Sequence, residues 1–172
     1  KLLEIGPFAK GNPPLRGKES MKKLWDYIND GTVDFIGSDH SPFLLSEKEK
    51  GLTDIFTAAA GSPCIELTLP LMLTAVRDGR LTLPRAVELL SENAARIFGL
   101  FPKKGVLRPG ADADFVVVDM KTPFEVSNEN LLTHAKAIGV QYNGTKLVGR
   151  PLHTAVRGRM VMKDDAPQVS NH

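Results

Sequence analysis

The 172 residues are 42% hydrophobic and 24% charged, enough apolar content to bury a real core and too ordinary a balance for a disordered chain or one that spans a membrane. The 22 basic and 20 acidic residues are interspersed and leave a net charge of +2, so no single-sign field implies nucleic acid as a partner. The single cysteine, Cys64, excludes an internal disulfide and fits a reducing, cytoplasmic setting, and Lys1 is not followed by the charged and apolar leader of a targeting signal.

Along the chain, Leu2, Leu3, Ile5 and Phe8 fit a strand or its tail. The run Asn12-Pro-Pro-Leu-Arg16 must be extended, because proline fixes its own φ and pushes its predecessor out of the helical region. Two readings of Asn12 stay open: a polar side chain presented by a rigid loop, or a turn-closing amide bonded to its own backbone. An amphipathic helix follows over 18–30, with Met21, Leu24, Trp25 and Ile28 on the core stripe and Gly31 as the stop. Residues 33–36 then read as a buried strand bounded by Gly31 and Gly37, and helix-then-strand is the repeating step of a parallel sheet covered by helices. The strand stops abruptly at Asp39 and His40. A carboxylate just past the C-terminal end of a buried parallel strand is the usual address of catalytic groups in α/β barrels; the competing reading is an aspartate that shapes a turn or caps a helix before Pro42. Adjacent residues of an extended chain point to opposite sides, so His40 is expected to hold the loop by hydrogen bonding rather than share a metal with Asp39.

The charge cluster Glu47, Lys48, Glu49 and Lys50 reads as a solvated turn. Gly61-Ser-Pro-Cys64 leads into a buried helix over 65–78, with Pro70 implying a start near Leu69 or a kink, and Cys64 reads as an inert small hydrophobe. Two helices follow, 82–90 and 91–98, capped by Thr82 and Ser91 and facing the core through Leu83, Ala86, Val87, Leu90, Ala94, Ile97 and Phe98. The pattern changes at 103–110, where Pro109 and two glycines, with Pro102 just before them, break the helical period; strands are expected over 114–119 and in a hairpin that turns at Arg157-Gly158. A domain boundary is placed there, giving 1–102 and 103–172. Arg150, Arg157 and Arg159 read as a solvated sheet face, His134 and His153 as surface or structural residues, and His172 as a mobile terminus.

Three motifs in fixed order carry a resemblance. Asp34-Phe-Ile-Gly-Ser-Asp-His-Ser-Pro42, preceded by Asn12-Pro-Pro-Leu-Arg16 and followed by Lys104-Gly105 and Pro109-Gly-Ala-Asp-Ala-Asp-Phe115, resembles the cyclic amide hydrolases of the amidohydrolase superfamily: dihydroorotases, allantoinases, hydantoinases and dihydropyrimidinases. The resemblance implies an α/β fold class, the terminal part of a metal-dependent (β/α)8 barrel (1–102) followed by strands of a small β-sandwich (103–172). It implies that Asp39 is both a metal ligand and the proton shuttle, that Asn12 helps hold the substrate, and that the turn with Gly61 and Ser62 binds the imide edge of the cyclic substrate through backbone groups. It also implies a divalent cofactor, zinc by default and dinuclear in the complete enzyme, of whose ligands only Asp39 has a match here. The His-x-His pair, the bridging lysine and two further histidines lie upstream of anything matched.

The implied reaction is hydrolysis of a cyclic amide C–N bond by metal-activated water. The implied partners are a small cyclic amide or ureide substrate, the remainder of a parent chain and further copies of the protein as a homo-oligomer, and the isolated piece is expected to be inactive. Dihydroorotases commonly place a histidine that touches the substrate carboxylate where this chain has Phe43, whereas hydantoinases also have phenylalanine there. The reading therefore ranks allantoinase- or hydantoinase-like above dihydroorotase. The turn departs from hydantoinases at Ala60, where they have asparagine. The alternative is a non-catalytic relative that acts as an interaction or scaffolding protein.

Overall fold

The computed structural model describes residues 2–168, so the expectation for His172 lies outside the described residues. These residues form two compact units that interleave along the chain. The first comprises residues up to Leu24, Ser38–Thr68 and Glu125–Lys146; the second comprises Trp25–Gly37, Leu69–Phe124 and the residues from Leu147 on.

In the order of the chain, a short helix α1 (Leu2–Ile5) and a 3-10 turn (Gly6–Ala9) precede the long amphipathic α2 (Lys18–Asp30). Then come α3 (Leu45–Glu49), α4 (Ile65–Arg77), α5 (Leu83–Val87) and α6 (Asn93–Ile97). The strands are β1 (Phe115–Asp119), β2 (Phe124–Glu125), β3 (Lys146–Leu147), β4 (Arg150–Val156), β5 (Arg159–Lys163) and β6 (Ala166–Pro167). No helix among the described residues is long and apolar enough to cross a membrane.

The core of the second unit is built from Ile28, Met72, Ala75, Leu81, Ala86 and Leu89, with Trp25, Val33, Ile36, Val76 and Leu90 packed around it. This explains why α2 keeps its expected bounds: Ile28 is buried, and Trp25 covers the cluster while the Arg80 guanidinium lies 5.1 Å from its ring centroid. The helix α4 begins at Ile65 and contains Pro70, rather than starting near Leu69. One backbone bond is lost there, but the flanking turns bury Leu67, Met72, Leu73 and Ala75, and that packing outweighs the missing donor.

Three sequence expectations are corrected here, the first being residues 2–8, expected as a strand or its tail but folded as α1 and the 3-10 turn. The expected helices 82–90 and 91–98 form one continuous rod. Thr82 does cap it, accepting the Arg85 amide at 3.3 Å, but Ser91 caps nothing because it lies inside a π turn, Glu88–Glu92, that joins α5 to α6. The widened turn rotates the inward face, so Leu89 is fully buried while Val87, Ile97 and Phe98 are half exposed. The expected strand at 33–36 forms no ladder among the described residues. Its polar groups are satisfied by the rod instead: the Ile36 amide donates to the Leu89 carbonyl at 3.0 Å, Arg85 donates to the Val33 carbonyl at 2.6 Å, and Asn93 donates to the Asp34 carbonyl at 2.8 Å.

The strand expected at 114–119 and the hairpin are present. The sheet order is β1-β4-β5-β6, antiparallel throughout, and Arg157 and Gly158 both have positive φ (51° and 75°), the signature of a two-residue primed turn. The motif around residues 104–114 locks this sheet to its own turns. Lys104 pairs with Asp112 at 3.0 Å and with Asp114, and Asp114 accepts the Arg157 amide at 2.7 Å. Gly105 (φ +81°) lies against α6, where a Cβ would sit 2.6 Å from that of Ala95. Separately, β2 and β3 form a two-stranded ribbon.

Candidate active site

All four residues singled out from the sequence lie in the first unit. Two stretches meet there. His40 and Ser62 form an isolated parallel bridge, and the Ser41 amide donates to the Ser62 carbonyl at 3.0 Å, so the chain leaving the 33–36 segment runs beside the turn that leads into α4. Gly61 is buried at φ +153°, and a Cβ there would come within 2.5 Å of Ser41 Cβ and 3.0 Å of the Phe43 ring; only glycine lets the two stretches approach this closely. The Gly61 amide donates to the Lys10 carbonyl at 3.0 Å, which brings the Asn12 loop alongside the same turn.

Asp39 immediately precedes the His40–Ser62 bridge. It is exposed and has φ +45°, a left-handed conformation that aspartate tolerates better than most residues. Its backbone carbonyl accepts the Ser41 hydroxyl at 3.1 Å, while no described residue donates a hydrogen bond to its carboxylate. That carboxylate caps nothing within the described chain, and both oxygens are available to an external partner.

His40 does act as the loop holder. Its Nδ1 accepts the amides of Cys64 at 3.2 Å and Ile65 at 3.3 Å, the first free donors of α4, so that nitrogen is occupied and cannot ligate a metal. The Cys64 thiol donates to the Ser38 carbonyl at 2.6 Å. Burial, and after it the negative charge of Asp39, push the thiol above its ordinary range, the opposite of what a nucleophile needs. Burial likewise raises the Tyr142 phenol, with the charge of Cys64 adding to it.

The turn itself is largely self-satisfied. The Gly61 amide and the Ser62 carbonyl are engaged within the chain, which leaves the Gly61 carbonyl and the Ser62 hydroxyl without a partner among the described residues. Asn12 is exposed, with a cis peptide to Pro13. The charge cluster is not the solvated turn expected from its composition: Lys48 is 0% exposed. The sequence carried little sign of this beyond Gly51, buried one helical turn further on.

Across 13–161, the chain matches the pattern of the amidohydrolase family. The chain belongs to that family. Relatives of this chain include the L-hydantoinase of Paenarthrobacter aurescens, 37% identical over 91% of this chain and 34% of that protein. The dihydroorotase of Methanosarcina mazei is 42% identical over 94% of this chain and 34% of its own length. Among solved structures, the L-hydantoinase (dihydropyrimidinase) from Arthrobacter aurescens superposes with a TM-score of 0.88 at 34% identity, covering 98% of this chain and 37% of that one. The α/β arrangement here is thus similar to part of that structure, and the chain spans about a third of the length of these relatives. Family membership implies use of a divalent metal ion. Among the described residues no three His, Cys, Asp or Glu side chains gather to hold one; the unpaired, exposed Asp39 carboxylate fits the role of a single ligand.

Proposed function

We propose that this chain is the C-terminal portion of a cyclic amide hydrolase, allantoinase- or hydantoinase-like, and that Asp39 moves the proton in the reaction. In this reading residues 1–102 complete the end of a (β/α)8 barrel and 103–172 contribute strands to a small β-sandwich. The observation that carries it is the Asp39 carboxylate: exposed, left-handed, unpaired within the described chain, and one residue before the bridge to the Gly61–Ser62 turn.

A divalent ion, zinc by default and one of two in the complete protein, would lower the pKa of water from 15.7 to about 7 and polarise the amide carbonyl. Asp39 would contribute one carboxylate oxygen to that ion. Its other oxygen takes the proton of the attacking water and returns it to the departing ring nitrogen, which turns a poor amide anion into a neutral amine. The Ser62 hydroxyl and the Gly61 carbonyl orient the imide edge, and Asn12 holds the far side of the ring. The apolar Phe43 ring packs against this turn, and the nearby ammonium groups of Lys10 and Lys48 are committed to backbone carbonyls. With phenylalanine here in place of the histidine of dihydroorotases, this reading favours neutral hydantoins and ureides over dihydroorotate. The complete protein is expected to be a cytoplasmic homo-oligomer.

The test is turnover by the complete protein, with its metal content measured, on a hydantoin, allantoin, a dihydropyrimidine and dihydroorotate. The reading expects bound divalent metal and a kcat/KM at least about tenfold higher on a neutral ring than on dihydroorotate, the scale of one lost charge-assisted contact. A metal-free protein that hydrolyses none of them supports the scaffolding alternative.

A further inference from the structure

The least expected charge in the described chain is Lys48. Its side chain is 0% exposed, yet its partners among the described residues are carbonyls only: Nζ donates to the Lys10 oxygen at 3.0 Å and more distantly to the Pro7 oxygen at 3.5 Å. Burial, and after it the positive charge of Lys10, hold this ammonium below the ordinary lysine range. An ammonium without a carboxylate is expensive to bury, and an apolar side chain of the same length would fill the space at lower cost. Packing alone therefore does not account for a lysine here.

What the ammonium does hold is one particular carbonyl. The Lys10 oxygen accepts Lys48 Nζ and the Gly61 amide, both at 3.0 Å, so both of its lone pairs are used and both donors fix its direction. Asn12 lies two residues downstream of that oxygen, and Ser62 lies one residue after that amide. The supporting frame is short and tight: the Ala59 amide donates to the Glu47 carbonyl at 3.1 Å on the same helix as Lys48, and Lys10 Nζ reaches the carbonyls of Phe56 and Ala58 at 2.9 and 2.7 Å.

We infer that Lys48 is a positioning residue for substrate binding: by gripping the Lys10 carbonyl it sets the Asn12 loop against the Gly61–Ser62 turn. The inference rests on the substrate roles proposed above for Asn12, Gly61 and Ser62. It predicts an effect on binding rather than on the proton transfer at Asp39, because Lys48 makes no contact with that carboxylate.

The experiment uses the complete protein and Lys48→Met, which keeps length and apolarity, with Lys48→Gln as a second variant that retains a neutral donor and serves if the methionine variant does not fold. The expected result for Lys48→Met is a KM about tenfold higher on the best cyclic amide, the equivalent of one lost hydrogen bond, with kcat and metal content within about twofold of wild type. Lys48→Gln should fall between the two. Amide hydrogen exchange gives a readout independent of activity: Gly61 should exchange about tenfold faster or more in the methionine variant, while amides of β1 and β4 keep their wild-type rates. Unchanged KM with Gly61 still protected overturns the inference, and so does a uniform loss of protection across the chain, which marks Lys48 as merely structural. If the wild-type protein hydrolyses no cyclic amide, the proposed function fails by itself and the Gly61 exchange rate still decides whether Lys48 positions the loop.

Discussion

Residues 33–36 and β1 (Phe115–Asp119) are two short apolar runs of similar make-up, yet only the second is a strand. In β1, Phe115, Val116 and Val117 pair with Ala155, Thr154 and His153 of β4, and the turn of the hairpin is tied back by Asp114. At 33–36 no described strand lies alongside, and side chains of the α5–α6 rod take up carbonyls of the segment instead. Intrinsic preference makes a segment extended; a neighbouring ladder makes it a strand.

The contrast is sharpened most strongly by supplying the missing neighbour. In the complete protein, where the proposed barrel gives 33–36 a strand on each side, the Phe35 amide should exchange about a hundredfold more slowly than in the isolated 172-residue chain, while those of Val116 and Val117 change far less. Equal rates at 33–36 in the two proteins would break the comparison. Next in size is the support that holds 33–36 down. Leu89 is 0% exposed and its carbonyl receives the Ile36 amide, so Leu89→Ala should cost about 2–5 kcal/mol in denaturant unfolding. Val117→Ala, on a half-exposed strand position, should cost under about 1 kcal/mol.

The electrostatic lock of β1 gives a smaller, pH-dependent effect. Hydrogen bonding to Lys104, then to the Arg157 amide, holds the Asp114 carboxyl below the ordinary aspartate range. A depressed carboxylate contributes stability that is fully present above its unfolded pKa, about 3.9, and is lost as pH falls through the lower folded value. Asp114→Asn should therefore flatten the acid limb of an unfolding-midpoint profile between neutral pH and pH 2; an unchanged acid limb would show that the lock contributes nothing. The smallest effect is expected at the hairpin turn. Arg157 sits at φ +51°, so Arg157→Gly relieves left-handed strain and should raise stability by up to about 1 kcal/mol without moving the Asp114 contact, which is to the backbone.

The same contrast explains how much was legible in the sequence. Elements whose partners are local could be read: α2 with its Gly31 stop, the Thr82 cap, and the Arg157-Gly158 hairpin each depend on residues a few positions away. The π turn could not be read, because Ser91 looks like any helix cap and the extra residue per turn is chosen by the fit of Leu89 into the core. The same holds for Lys48, whose burial depends on carbonyls about 40 positions earlier in the chain. At the candidate site, the residue types of Asp39, Gly61 and Ser62 could be picked out; that Gly61 meets Ser41 and that His40 caps α4 are long-range facts.

The central claim is that Asp39 carries chemistry rather than fold, since it is exposed and its carboxylate has no partner among the described residues. Its direct test is Asp39→Ala in the complete protein, assayed on the best cyclic amide beside wild type, with the unfolding midpoint measured in parallel. Loss of a positioned proton-transfer group should lower turnover about 10²-fold or more while the unfolding midpoint stays near that of wild type. Turnover that stays above a few per cent of the wild-type rate would contradict the account.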